Sequence, residues 1–381
     1  MGLRPTRSDE DGLGSRNVGT DQQARTVRLS RFERLPWRRI ILVVLGASIV
    51  ATVGIGAFRT LTLPEGQRYS ASAWGDFIVL GIAQGSIYAL IALGYTLVYG
   101  ILRMINFAHG EVFMFGAFGS FFFANAYEES GFLERQPYVA LAIILGVAIA
   151  TSVVVAVLLE RIAYRPLRGA PRLVPLITAI GASLFLQNTA RGFFGSQTRG
   201  YAKPNFLEGR WELLGVAFPK IRVIVFIVAF VSVVLLTLFI ARTTTGKSMR
   251  AVAEDSEIAS LMGINVDRVI VLTFAIGGIL AGIAAVLFAM TFEAVNFFMG
   301  FQPGIAAFTA AVLGGIGSIA GAALGGLMLG LLESLGPSLI LTGYQVPSPF
   351  QLKPGFTFLV LVLVLVFRPG GILGTGEAEK V

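Results

Sequence analysis

The 381-residue sequence contains no cysteine and a single histidine, His109. Without cysteine there are no disulfides, thiolate nucleophiles or cysteine-ligated metals. One imidazole cannot form a histidine cluster for zinc. Charge is scarce as well: 14% of residues are charged, against about 25% in a soluble domain. Carboxylates paired at helical spacing are missing too, so no catalytic residue, cofactor or metal ligand is expected and the chain does not read as an enzyme.

Apolar surface takes the place of charge. Hydrophobic residues make up 55% of the chain, with 46 glycines and 30 phenylalanines. That is too apolar for a soluble surface, and small residues let membrane helices approach closely. The net charge of +8 would suggest nucleic acid in a soluble protein. Here the arginines flank apolar runs and no groove-reading motif accompanies them, so no nucleic-acid partner is expected.

Residues 1–39 are polar and carry nine arginines, which reads as a disordered cytoplasmic tail. The first apolar run, 40–58, has no charge and is too long for the core of a secretory signal. It reads as a retained first span. Further spans are expected at 77–102, 107–126, 138–159, 173–190, 221–241, 269–292 and 356–367, the last extending back across Pro354 if it is to be long enough. Bilayer hydrocarbon offers backbone groups no water, so all should be helices. The glycine-rich stretch 304–335 is too long for one untilted span. A hairpin of two shorter helices returning near Gly317 and a broken helix both fit it. The fold class is therefore an all-α polytopic transmembrane bundle of nine or ten spans.

The basic segments 1–39, 160–172 and 242–268 fall on one side of this arrangement, and short basic loops stay in the cytoplasm. The loop 191–220, with five basic residues, conflicts with that orientation. The pairs Asn106-Phe107 and Asn296-Phe297, each after a long glycine-bearing helix, hint faintly at an internal repeat of the kind common in transporters.

The loop 242–268 carries a delimited helix. Asp255 or Ser256 can cap it, Glu257 suits its first turn, and Gly263 can end it. Ile258, Leu261 and Met262 share one face. Such a helix could lie among lipid headgroups or dock in a groove on a cytoplasmic ATPase. The same loop holds Ala241-x-x-x-x-Gly246-Lys247-Ser248, close to a phosphate-binding loop. Its first position is Ala instead of Gly and no strand context surrounds it, so no ATP hydrolysis is expected of this chain.

Several stretches resemble the branched-chain amino-acid ABC permease family. They are 85–100 (Gly-Ser-Ile-Tyr-Ala-Leu to Val-Tyr-Gly), 104–112 (Met-Ile-Asn-Phe-Ala-His-Gly-Glu-Val), 160–167 (Glu-Arg-Ile-Ala-Tyr-Arg-Pro-Leu), 176–188, 253–265, 310–318 and 371–374. The resemblance implies a permease domain over 77–381 and a bacterial inner-membrane protein with a cytoplasmic N-terminus. It also implies three kinds of partner besides lipid: a second homologous permease, two cytoplasmic ATP-binding subunits, and an extracytoplasmic substrate-binding protein. The implied function is import of leucine, isoleucine and valine. A permease for urea, short amides or other amino acids is the alternative, and an autonomous ion-coupled transporter is the rival of another class. The resemblance favours the docking reading of the loop helix, with Glu254, Asp255, Ile258, Ala259, Leu261, Met262, Gly263 and Ile264 as the ATPase-coupling segment.

Polar residues inside spans should face the bundle or a wet cavity. Gln84, Asn106, His109, Gln187 and Asn188 are the candidates for the translocation pathway, with Glu111 and Glu333 as further intramembrane acids. Asn106, His109 and Glu111 are expected near the cytoplasmic interface, where water can solvate them. Because the binding protein is implied to do most of the selection, no high-affinity pocket is expected.

Overall fold

A computed structural model of the chain describes residues 36–171, 173–213, 216–347, 349–368 and 370–374. The expected disordered tail falls almost wholly outside these residues.

The described chain is a bundle of helices: α1 (Pro36–Leu61), α2 (Ala71–Leu102), α3 (His109–Glu129), α4 (Pro137–Leu159), α5 (Leu173–Phe194), α6 (Lys220–Arg242), α7 (Thr244–Glu254), α8 (Ser256–Leu261), α9 (Val266–Phe292), α10 (Phe301–Gly314), α11 (Ile319–Gly336) and α12 (Lys353–Phe367). Eight of them, all but α3, α7, α8 and α10, are long and apolar enough to cross a bilayer. With α3 and the shorter apolar α10 beside these eight, the bundle roughly fits the nine or ten spans expected. The glycine-rich stretch is the hairpin α10–α11. It turns through Gly315 (φ 108°) and Gly317 (φ 97°), a backbone that L side chains rarely adopt.

Two short antiparallel ribbons cap one end of the bundle. β1 (Arg199–Gly200) pairs with β4 (Ala294–Val295), and β2 (Arg210–Leu213) pairs with β3 (Val216–Pro219). The helices α7 and α8 occupy the opposite end. Neither the ribbons nor α7 has a signature in the apolar pattern, because the strands are only two to four residues long and α7 is polar.

The central helices are α2 and α9, which run antiparallel and keep most of their length buried. Small residues bring partners onto them. Gly81 and Gly85 on α2 face Gly326 and Gly330 on α11, and a Cβ at Gly85 would stand 2.7 Å from the carbonyl oxygen of Gly326. On α9, Gly278 and Gly282 lie against Ser152–Val153 and Ala148–Ile149 of α4 in the same manner. Without a hydrophobic force between helices in lipid, such close backbone packing supplies much of the association.

The faint repeat of the sequence is a structural one. α2 ends at Arg103 (φ 51°) and α9 at Glu293 (φ 53°), both left-handed. Three residues later each chain reaches an asparagine, then a phenylalanine, and after seven a glycine: Asn106, Phe107 and Gly110 in one case, Asn296, Phe297 and Gly300 in the other. The turns match as well. His109 N–H donates to Asn106 O (3.1 Å), and Met299 N–H to Asn296 O (3.2 Å). The two glycines meet, such that a Cβ on either would overlap the other's carbonyl oxygen. Since α2 and α9 are antiparallel, this is an inverted repeat.

Both α3 and α10 consequently begin inside the bundle. His109 packs on Gly94, nine residues before Arg103, or about 13 Å back along α2. This corrects one expectation. Asn106, His109 and Glu111 are 2%, 2% and 1% exposed, so interfacial water does not reach them. The chain turns back into the bundle before α3 starts, and a hydropathy pattern cannot register that turn.

Candidate functional site

The two breaks open a cavity of about 380 Å³ between α3, α5, α10 and α12. Ligand sites are usually cavities of about 300–1,000 Å³, mostly apolar, with a few placed polar groups. Ile180 and Leu184 of α5, Ile305 and Phe308 of α10, and Phe358 and Leu361 of α12 form the apolar wall. Gly300 and Gly304 line the floor, where the two breaks meet. A smaller cavity of about 140 Å³ shares Phe301, Ile305 and Phe358 and continues toward Pro354 and Thr357 at the start of α12.

One corner of the large cavity is polar. Glu111 stands in the first turn of α3, where the helix dipole favours a carboxylate. Its Oε1 accepts from Gln187 Nε2 (2.7 Å) and Ser183 Oγ (3.0 Å), which lie one turn apart on α5. Its Oε2 is buried without a hydrogen-bond partner. Glu111 Oε2 would lie 2.8 Å from a Cβ at Gly300, so the absence of a side chain there makes room for the carboxylate.

The pathway candidates separate. Gln187 lines the cavity beside Glu111. Gln84 does not; it joins Tyr88, whose hydroxyl donates to Glu333 Oε2 (2.7 Å), and Gln84 Nε2 reaches the same oxygen at 3.2 Å. Thr357 donates to Glu333 Oε1, so this buried cluster ties α2, α11 and α12 with both carboxylate oxygens satisfied. Asn106 Oδ1 accepts from Tyr164 (2.6 Å). His109 lies edge-on to Tyr95 at 5.1 Å, with its Nε2 unpartnered. Asn188 is exposed and donates to Leu184 O in its own helix. Glu111 and Ser183 carry no periodicity that marks them as a pair, since 72 residues separate them.

The segment 160–167 is a strut. After α4 the chain winds through a π-turn, Glu160–Tyr164, and a 3-10 turn, Arg165–Leu167. Glu160 is fully buried and pairs with Arg168, and Asp267 at the start of α9 pairs with both Arg165 and Arg168. A buried charge needs such a partner. The strut presents Tyr164 to Asn106 and thereby holds the first break.

At the far end, Asp255 caps α8, its Oδ1 accepting from Glu257 N (2.8 Å) and Ile258 N (2.9 Å). Gly263 takes φ 84° just beyond. Ala259 is buried, Ile264 is partly buried and Glu254 ends α7. Ile258, Leu261 and Met262 are 60%, 86% and 78% exposed, forming an apolar stripe that none of the described residues covers. The residues resembling a phosphate loop belong to α6 and α7. Gly246 is small because a Cβ there would overlap Ile240 of α6, which is a packing reason. Among the described residues, no group of three or more His, Asp or Glu is placed to hold a metal.

The sequence family described as branched-chain amino acid transport system / permease component matches residues 77–365. The high-affinity branched-chain amino acid transport system permease protein BraD of Pseudomonas aeruginosa is 46% identical over 80% of this chain and 97% of its own length. The corresponding LivH of Escherichia coli K12 is 44% identical over 79% of this chain and 96% of its own. The LivH of Methanocaldococcus jannaschii, described there as a branched-chain amino acid transport permease protein, is 27% identical over 79% and 93%. Among solved structures, a metal-chelate type ABC transporter in an inward-facing conformation aligns over 84% of this chain and 97% of that one. Its 16% identity and TM-score of 0.42 are too distant to bear on function or on conformational state.

Proposed function

The chain belongs to the family of permease components of branched-chain amino acid transport systems, and from that premise we propose that it imports leucine, isoleucine and valine as one membrane subunit of an ATP-driven importer. The observation that carries the reading is identity of 44–46% to two such permeases over about four fifths of the chain. A second, homologous permease covers α5 and α12. Two ATP-binding subunits dock at the α7–α8 end, and a binding protein delivers solute to the ribbon end. The N-terminus and the α7–α8 end face the cytoplasm.

Two features support this arrangement. The stripe Ile258, Leu261 and Met262 is exposed beyond the bundle, and the acids Glu254, Asp255 and Glu257 beside it make an anionic lipid surface a poor host. The five basic residues of 191–220 that argue against the orientation include several held locally. Lys203 pairs with Glu293, Arg210 lies 3.9 Å from Asp76, and Arg199 donates to Phe194 O. Cations fixed by acids within a folded cap differ from free cations on a short loop, the class for which the rule was framed.

In the mechanism that follows, ATP draws the two ATPases together, α8 transmits the movement, and the bundle turns its cavity from one face of the membrane to the other. α8 is capped at Asp255 and seated by Ala259, so it moves with α7 and the start of α9. Replacing Ile258 or Met262 by Asp puts a charge into the docking contact. Leucine uptake by the assembled importer should fall by about tenfold or more, the scale of a lost interface anchor, while the protein remains inserted. Uptake at the unaltered rate in both variants would remove α8 from the coupling path. Competition of leucine uptake by urea in place of valine would redirect the substrate assignment.

A further inference from the structure

The cavity between the two breaks is apolar except at Glu111. A carboxylate in such a place is costly unless it is paired. The other deeply buried carboxylates meet that need within the chain: Glu160 pairs with Arg168, and Glu333 has donors on both oxygens. Glu111 has no cationic partner among the described residues. Its two donors, Ser183 and Gln187, both act on Oε1, and Oε2 accepts from nothing. The site is thus built and positioned but one cation short.

We propose that Glu111, oriented by Ser183 and Gln187, receives the α-ammonium group of the passing amino acid, with the aliphatic side chain lying along Ile180, Leu184, Ile305 and Leu361. This rests on the reading that the solute is a branched-chain amino acid. An ammonium brings what the corner lacks, a positive charge and three N–H donors. The donors from α5 hold the carboxylate in one orientation and leave its second oxygen, buried beside Gly300, without a donor until the bundle opens to admit one. The rest of the cavity offers apolar contact and little polar competition, which suits a leucine or valine side chain. A single charged contact, in place of a full set of polar partners, allows release on the far side and leaves selection to the delivering protein.

The test uses the complete importer in proteoliposomes with leucine-loaded binding protein. Glu111→Gln keeps the size of the side chain and removes its charge. It should lower the maximal rate of leucine uptake by about tenfold or more, the scale of a lost charged hydrogen bond. The binding-protein concentration giving half-maximal rate should not change, because that contact is made elsewhere. Glu111→Asp should recover part of the rate. Gel filtration of the purified complex checks that the variants assemble.

A second measurement needs no variant. Millimolar 3-methylbutylamine, which has the ammonium and the branched chain, should inhibit uptake by the unaltered importer. 4-Methylpentanoate, which has the branched chain and a carboxylate but no ammonium, should inhibit far less, and the difference should vanish in Glu111→Gln. Native leucine transport that Glu111→Gln leaves within about twofold, or equal inhibition by amine and acid in the unaltered importer, overturns this inference alone. An unaltered importer that carries no leucine overturns the amino-acid reading and this inference with it.

Discussion

The breaks 103–110 and 293–300 share a backbone and differ in chemistry. Each follows a left-handed helix end and carries asparagine and phenylalanine at the same spacing before its glycine. Position by position, Ala108 corresponds to Phe298, His109 to Met299 and Glu111 to Phe301. The helices that face the breaks differ in the same sense. α5 presents Ser183 and Gln187 to Glu111, whereas α12 presents Phe358 and Leu361 on the side of Phe301. The repeat therefore supplies the geometry twice, and side-chain differences make one half of the cavity polar and the other apolar. An inverted repeat with identical side chains would enclose a symmetric cavity, ill-suited to a solute charged at one end and greasy at the other.

Substitutions can break this comparison at three levels. The largest effect belongs to what the halves share. Gly110→Val and Gly300→Val each place a side chain against the opposite carbonyl, where neither backbone can rotate away. Overpacking typically costs about 1–3 kcal/mol, and a backbone–backbone crossing sits at the upper end. Both variants should lose most of the monodisperse protein recovered after detergent extraction, to similar extents. A large disparity would show that the halves do not share the crossing equally.

An intermediate effect belongs to the apolar half. Phe301→Ala widens the wall opposite Glu111 without touching the charge. Uptake of valine relative to leucine should change by a few-fold, since a methylene in an apolar pocket is worth about 1–3 kcal/mol. An unchanged ratio would place the aliphatic side chain of the solute elsewhere. The smallest effect belongs to Asn188, next in sequence to Gln187 but exposed and bonded only to its own helix. Asn188→Leu should leave uptake as it was and move stability by no more than about 0.5 kcal/mol. Strong loss of uptake would bring the outer face of α5 into the pathway.

Much of the fold is legible in the chain. The apolar runs mark the long helices to within a few residues, because a lipid environment leaves a helix as the only way to satisfy the backbone. The loop helix α8 is marked by Asp255 and Gly263, which act as caps. The polar helix α7 and the ribbons escape, since tertiary contacts make them; Gly246, for instance, fits closely against Ile240. The candidate site is half legible. Gln187 is visible as a polar residue in an apolar run, and it lines the cavity. Asn188 carries the same signal and points outward, because adjacent residues on a helix lie about 100° apart and hydropathy does not say which faces inward.

Composition and periodicity by themselves determined that this protein lives in a bilayer as a bundle of helices, with short capped elements between them, because burial of the backbone and of apolar surface is decided residue by residue. The tertiary structure alone decided that α3 and α10 begin within the bundle, that Gly110 and Gly300 cross, and that Glu111 meets Ser183 and Gln187 across a cavity. Those outcomes depend on which helices become neighbours, and that is set by close backbone packing among residues far apart in the chain.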